Sequence, residues 1–229
     1  MLVTARPSRV AVAAAFALLA VAGCSSDDDK PDAGRIDVTT MRGAFLQAAE
    51  IGPTWTAPET SADPQQMVSF CGGTTPAPAL PPGADTVVSS FADEGEKGAQ
   101  TLEQLALVYP DEKAAKAGQS LLRAVGDGCA PTVSVPATVT SDKSEPAYTE
   151  TVEVRDLDEG GWSGFVLVRH KSYEKTHPGT ADTAVAVVTS RNVVLVDTYA
   201  IYQLDKSDPA TGFEADWKKL VGSVVQRVG

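Results

Sequence analysis

Basic residues, histidine and cysteine are all scarce in this sequence of 229 residues. The chain carries 19 Lys and Arg against 30 Asp and Glu, which gives a formal net charge of −11. A surface that neutralises phosphate groups has to be basic, so this balance excludes nucleic acid as a partner. The chain has two histidines and three cysteines without a C-x-x-C spacing. That pattern is not typical of a metal site, and we expect neither a metal nor another cofactor.

A hydrophobic run long enough to cross a membrane as a helix is also missing. The apolar run Val10–Val21 has 12 residues, whereas a helix needs about 20 to cross a bilayer. A mean hydropathy of −0.08 excludes a protein with many spans, and 43% hydrophobic residues exclude a disordered chain. The length therefore allows one ordinary globular domain with a modest appendage.

The N-terminus has the order of a bacterial export signal. Arg6 and Arg9 form a short basic region, the run Val10–Val21 follows, and Val-Ala-Gly-Cys closes it at Cys24. This order resembles a bacterial lipobox, which implies cleavage before Cys24 and transfer of a diacylglyceryl group to its sulfur. Further acyl chains such as palmitate would hold the chain firmly to the cell membrane on its extracytoplasmic side. A secreted protein whose cleavage site ends in Cys, or a short core helix, are the alternatives.

These features divide the chain into three parts. Residues 1–23 are predicted to be a lipoprotein signal peptide. Residues 24–36 are small, charged and turn-forming, which is typical of a flexible tether. Residues 37–229 are predicted to be one folded domain.

The two cysteines left after lipidation, Cys71 and Cys129, are predicted to form a disulfide. An exported protein meets oxidising conditions, and an even remainder of cysteines there favours pairing. The bridge would close a loop of 58 residues, worth about 4 kcal/mol in the chain-entropy model. A reactive or metal-binding thiol pair is the alternative.

Periodicity predicts the secondary structure of the domain. Apolar residues at helical spacing predict helices over 37–50, from Pro110–Asp111 to Gly126, and over 213–228. Residues 53–85 contain seven prolines and are predicted to be mostly irregular. Strands are predicted at 66–70, 86–92, 101–109, 132–140, 148–156, 163–171, 184–190 and 193–202. Ser190-Arg191-Asn192 should join the last two as an antiparallel hairpin. We therefore predict an α+β fold, a single domain whose antiparallel β-sheet is packed by two or three helices.

No coherent catalytic set is found, and we predict that the protein is not an enzyme. Ser163 in Gly-Trp-Ser-Gly lacks the glycine spacing of a nucleophile elbow. His170 and His177 are seven residues apart, in a strand end and a loop, and we interpret them as surface residues. Of the nearby carboxylates, Glu174 and Asp182 are the ones that could complete a site with these histidines.

The three tryptophans are the remaining candidates for recognition. Trp217 follows the apolar face of the last predicted helix and should belong to the core. Trp55 and Trp162 lie beside Gly and Pro, in a loop or at a strand start, where an aromatic side chain can line a ligand cleft or cover the core. They are weak ligand-binding candidates.

Residues 101–129 also carry a family resemblance. A strand ends in Tyr109-Pro110-Asp111, an alanine-rich helix follows, and its end carries Cys129. With Ser190-Arg191-Asn192-Val193 in a late hairpin and a closing helix, the chain resembles the PknH-type sensor domains over residues 37–228. These are extracytoplasmic domains of actinobacterial kinases, also found as free lipoproteins. The resemblance implies an α+β sensor domain with a cleft for an unidentified small ligand and no catalytic residues. The sensor domain of the kinase has two disulfides, whereas the cysteines here allow only one.

Together these observations predict a lipid-anchored, non-enzymatic domain of the cell envelope that binds a small ligand or a protein partner. A lipid or glycolipid carrier is the first alternative and requires an enclosed apolar cavity of several hundred Å³, in the range of ligand pockets. An envelope hydrolase that uses His170, His177 and nearby carboxylates is the second. The leading interpretation predicts a cleft bounded by the sheet and residues 53–85.

Overall fold

The fold was analysed in a computed structural model. It describes residues 34–59, 63, 67–95, 98–139, 144–176, 178–204 and 208–229. The predicted signal peptide, Cys24 and most of the predicted tether lie outside these residues, and so does His177. Residues 34–229 form one compact unit.

A seven-stranded antiparallel sheet forms the centre of this unit. Its spatial order is β1-β2-β9-β8-β7-β6-β3, and each strand pairs with an antiparallel neighbour. The strands are β1 (Asp85–Gly95), β2 (Gly98–Val108), β3 (Thr132–Val135), β6 (Tyr148–Glu159), β7 (Trp162–Tyr173), β8 (Gly179–Ser190) and β9 (Val193–Leu204). Two short strands, β4 (Thr138–Val139) and β5 (Ser144–Glu145), pair separately.

Within the described residues, four helices accompany the sheet, two short and two long. They are α1 (Val38–Ala44), α2 (Ala48–Ile51), α3 (Glu112–Asp127) and α4 (Phe213–Val228). Asp37 and Asp111 cap α1 and α3, because each carboxylate accepts the backbone N–H three residues further on, at 2.7 Å and 2.8 Å. The prediction of an α+β fold with an antiparallel sheet is confirmed.

The helices cover opposite faces of the sheet, because successive strand residues point to opposite sides. On the α4 face, α1 and α4 pack on a core that includes Ala184, Ala186 and Leu195. On the α3 face, α3 packs on a second core that includes Val185, Val187 and Val194. The central strands β8 and β9 therefore contribute apolar side chains to both cores.

The predicted helix over residues 37–50 is wrong in its continuity. The chain is helical in α1 and α2, but Phe45 is extended with a ψ of 143°. Phe45 and Leu46 are 2% and 3% exposed. The buried side chain of Gln104 accepts the N–H of Leu46 at 3.0 Å and replaces the lost helical hydrogen bond.

Two of the predicted strands also differ from the structure. The strand predicted over 132–140 is divided at Pro136 into β3 and β4, because proline cannot donate to a strand ladder. The described part of the predicted strand 66–70, residues 67–70, is not a strand. Phe70 is instead a core residue on the α3 face, 1% exposed.

Ile36, the last residue of the predicted tether, is bound to the turn between β8 and β9. Ile36 is 2% exposed. Its backbone N–H donates to Oδ1 of Asn192, and its carbonyl accepts from Nδ2 of the same residue. The chain therefore enters the domain beside the turn that joins β8 to β9.

Candidate functional site

A cleft of ≈180 Å³ lies on the α4 face, between α2, the segment that carries Trp55, and α4. We call it the α2–α4 cleft. It is lined by Leu46, Glu50, Ile51, Trp55, Gln100, Tyr199, Asp216, Lys219, Leu220 and Ser223. Its walls thus come from the N-terminal segment, from strands β2 and β9, and from the C-terminal helix.

Two backbone contacts hold the segment that carries Trp55. The Trp55 N–H donates to the carbonyl of Gly52 at 3.3 Å, and Thr56 forms an isolated bridge with Ala92 of β1 through two bonds of 2.9 Å. A Cβ at residue 52 would lie 2.9 Å from Cδ1 of Trp55, so glycine there lets the indole pack against the backbone. The indole is therefore held at the cleft, and it is partly buried.

Tyr199 of β9 supplies the aromatic part of the cleft floor. It is 2% exposed and stacks on Phe213 with ring centroids 5.7 Å apart. Its hydroxyl donates to Oε1 of Gln100 at 2.6 Å. Burial, together with the negative charge of Asp216, raises the pKa of Tyr199 to about 12. The phenol therefore stays neutral at physiological pH.

The rim of the cleft carries charges of both signs. Glu50 is bound by Arg227, with Nη2 2.9 Å from Oε1, and this hydrogen bond lowers the pKa of Glu50. Asp216 and Lys219 lie three residues apart on α4. Within the described part of the chain, neither of these two forms an ion pair.

A buried polar chain runs from Leu46 into the core. Gln104 accepts the Leu46 N–H and donates from Nε2 to Oδ2 of Asp197 at 2.9 Å. Gln104 and Asp197 are each 1% exposed. Burial raises the pKa of Asp197 to about 7, although the hydrogen bond from Gln104 opposes this rise. Oδ1 of Asp197 has no hydrogen-bond partner among the described residues.

The tryptophan candidates from the sequence are separated by the fold. Trp55 lines the α2–α4 cleft, whereas Trp162 is 1% exposed and belongs to the core on the α4 face. Trp217 is also 1% exposed in that core.

The acidic and histidine candidates form one pair away from the cleft. Nδ1 of His170 lies 2.7 Å from Oδ1 of Asp182, and Oδ2 of Asp182 accepts the N–H of Ala210 at 2.7 Å. The Asp182 carboxylate therefore links β8 to the segment that precedes α4. Glu174 is exposed near the end of β7. None of these residues lines the α2–α4 cleft.

The predicted disulfide between Cys71 and Cys129 is confirmed. It connects Cys129, two residues beyond the end of α3, to the proline-containing segment, with Cα atoms 4.9 Å apart. Searched over the described residues, the chain has no group of three or more His, Cys, Asp and Glu that could hold a metal ion. The same residues include no helix that is long and apolar enough to cross a membrane.

Sequence reasoning missed Tyr199, Gln100 and the α4 residues of the cleft. Tyr199 and Gln100 occupy strand positions at which alternation predicts only the side of the sheet. Asp216 and Lys219 fall on the polar side of the last predicted helix, and this side faces solvent in most amphipathic helices. The two strand residues could have been predicted only from the register between β2 and β9, in which Gln100 pairs with Ile201 and Leu102 pairs with Tyr199.

The architecture is that of an α+β domain with one antiparallel sheet between helical layers. The same fold occurs in the extracellular domain of PknH from Mycobacterium tuberculosis, with a TM-score of 0.54 and 14% identity over 85% of this chain and 97% of that domain. An uncharacterised protein from Mycobacterium smegmatis aligns with a TM-score of 0.41 and 16% identity, over 84% of this chain and 96% of that one. The sequence matches no protein-family model and no curated protein. The predicted resemblance to the PknH-type domain is therefore confirmed at the level of the fold.

Proposed function

We propose that the protein is a lipid-anchored, extracytoplasmic domain without enzymatic activity, which binds a small ligand in the α2–α4 cleft. The observation that carries this proposal is the cleft itself, where a fixed tryptophan and a buried tyrosine meet polar groups from β2 and α4. Ligand sites combine apolar and aromatic walls with a few placed polar groups in this way. The shared fold with an extracellular domain supports the compartment.

The two alternative functions have less support. A lipid carrier requires an enclosed cavity of several hundred Å³, and the α2–α4 cleft, at ≈180 Å³, is smaller than that. A larger cleft of ≈560 Å³ lies elsewhere on the domain, beside Tyr148 and Tyr173. A hydrolase would need a nucleophile and a substrate cleft beside the His170–Asp182 pair. That pair instead joins a backbone N–H, at Ala210, to the sheet, which is a structural role.

The ligand site is tested by filling the cleft. Ser223 is the test position and Ser120 is its matched control. Each hydroxyl donates to the carbonyl four residues earlier in its helix at 2.8 Å. Ser223 lines the cleft, whereas Ser120 lies on α3. A fragment library is screened by NMR against the full chain in micelles. We expect hits that shift the Trp55 indole signal, that are lost in Ser223→Phe and that are retained in Ser120→Phe. Hits that bind both variants equally would contradict the site.

The anchor is tested by labelling cells with an alkyne analogue of palmitate. We expect the protein to carry the label and to sediment with membranes, and we expect Cys24→Ser to abolish both. The control is the double variant Cys71→Ser/Cys129→Ser, which removes the other two cysteines and should keep the label. Labelling of Cys24→Ser would show that the anchor lies elsewhere.

A further inference from the structure

We propose that the α2–α4 cleft binds one neutral sugar ring, as a free monosaccharide or as the terminal residue of a glycan. This inference rests on the proposed binding function and specifies the chemistry of its ligand. It follows from the size of the cleft, from the balance of its charges and from the distribution of its apolar and polar walls.

The size of the cleft limits the ligand to a single ring. The cleft has a volume of ≈180 Å³. This is enough for one pyranose with its hydroxyl groups. One ring fills the lined part of the cleft, and the rest of a longer glycan would lie outside it in solvent.

The charges of the cleft select a neutral ligand. Glu50 is neutralised by Arg227, and the charges of Asp216 and Lys219 are of opposite sign on the same helix. No net charge is therefore left to attract an anion or a cation. Both charged side chains can still form hydrogen bonds with hydroxyl groups, which accept from an ammonium and donate to a carboxylate.

The walls of the cleft match the two sides of a pyranose. Trp55, Leu46, Ile51 and Leu220 supply the apolar lining of the cleft. The C–H face of a sugar packs on such surfaces, aromatic rings above all. The hydrogen-bonding groups come from separate elements, because Gln100 belongs to β2 and Asp216 and Lys219 belong to α4. Polar groups distributed around a ring suit a ligand whose hydroxyls radiate from it.

The test uses saturation-transfer NMR on the full chain in a detergent without a sugar headgroup. The probes are the methyl glycosides of glucose, mannose, galactose and N-acetylglucosamine, together with leucine as a zwitterion and choline as a cation. We expect at least one glycoside to bind and leucine and choline not to bind. We expect Trp55→Ala to weaken that binding about tenfold, which corresponds to 1.4 kcal/mol.

A lysine pair on α4 gives the matched control. Lys219 lines the cleft, whereas Lys218 pairs with Glu214 at 2.8 Å on another side of the helix. Lys219→Met should weaken glycoside binding, and Lys218→Met should leave it unchanged. Equal effects of the two variants, or unchanged binding in Trp55→Ala, would overturn the sugar site.

The outcomes separate this inference from the proposed function. Binding of leucine or choline at the cleft, without any glycoside, overturns the sugar but keeps a ligand-binding cleft. Failure of every probe, together with fragment hits that ignore Ser223→Phe, overturns both. A trisaccharide that ends in the sugar that binds then distinguishes the two sources of the ligand. Affinity equal to that of the methyl glycoside indicates recognition of a glycan end, and loss of binding indicates a free monosaccharide.

Discussion

Asn192 and Ile36, 156 positions apart, exchange two hydrogen bonds at the point where the chain enters the domain. Asn192 Oδ1 accepts the Ile36 N–H at 2.8 Å, and its Nδ2 donates to the carbonyls of Ile36 and Tyr109 at 2.9 Å and 2.8 Å. Asn192 is 3% exposed and is the only asparagine in the chain. One side chain in the β8–β9 turn therefore holds both the N-terminal segment and the end of β2.

Asn192→Ala is expected to destabilise the domain by about 3 kcal/mol. The substitution leaves three buried backbone groups without partners, and each such group costs about 1–3 kcal/mol unless it finds water. The free energy of unfolding in urea measures the effect. Arg191→Ala, at the neighbouring turn position with a φ of 52°, is the control and should cost less than 1 kcal/mol, because its contacts with Val228 and Gly229 lie at the surface. Equal losses in the two variants would show that the Asn192 bonds are not the cause.

The ionisation of Asp197 should make the domain less stable as the pH rises. The pKa of Asp197 is about 7 in the folded chain and about 3.8 in the unfolded one. The folded state therefore binds more protons between these values, and stability decreases as the pH increases through that window. Asp197→Asn removes the charge while it keeps an acceptor for Gln104. We expect it to be more stable than the parent chain at pH 8, by roughly 2–4 kcal/mol, and about equally stable at pH 4.

Glu214 gives the control with the opposite sign. Burial opposes its ionisation, but hydrogen bonds from Lys218 and Arg155 bring its pKa down to about 2. Its contribution is present above the ordinary carboxyl pKa and is lost as the pH falls towards 2. Because the side chain is 46% exposed, Glu214→Gln should cost less than about 1 kcal/mol at pH 7. Urea unfolding at pH 4, 6 and 8 separates the two residues. If Asp197→Asn were no more stable than the parent at pH 8, the buried charge would be excluded as a cause.

Much of the fold could be predicted from the sequence because alternation and helical spacing are strong in this chain. The hairpin at Ser190–Asn192 and the disulfide required only local signals and the compartment. The break after Ala44 could not be predicted, since Phe45 continues the apolar spacing of a helix, and the partner of Leu46 is Gln104 on a distant strand. Of the cleft residues, only Trp55 could be predicted from the sequence. The other walls of the cleft depend on strand register and on where α4 packs, which local patterns do not give.

Removal of the disulfide should lower stability without preventing recognition at the cleft. The bridge joins residues 58 positions apart, and its loss is expected to cost about 2–5 kcal/mol. The cysteines lie beside α3, on the face of the sheet opposite the α2–α4 cleft. Cys71→Ser/Cys129→Ser should therefore unfold at lower urea concentration, whereas Cys24→Ser should not. A double variant as stable as the parent would indicate that Pro-containing residues 67–84 are held by packing alone.

Trp55 is expected to account for the quenchable part of the tryptophan fluorescence. Trp162 and Trp217 are each 1% exposed, whereas Trp55 is partly exposed in the cleft. Iodide reaches only indoles in contact with solvent. The parent chain should therefore show one accessible tryptophan and two protected ones. Trp55→Phe should remove the accessible fraction, and Ser223→Phe, which fills the cleft, should reduce it. Ser120→Phe should leave the quenching unchanged, because Ser120 lies on α3. If Trp55→Phe kept an accessible fraction, iodide would be reaching Trp162 or Trp217. That result would contradict the exposure of Trp55 in the cleft as the cause of quenching.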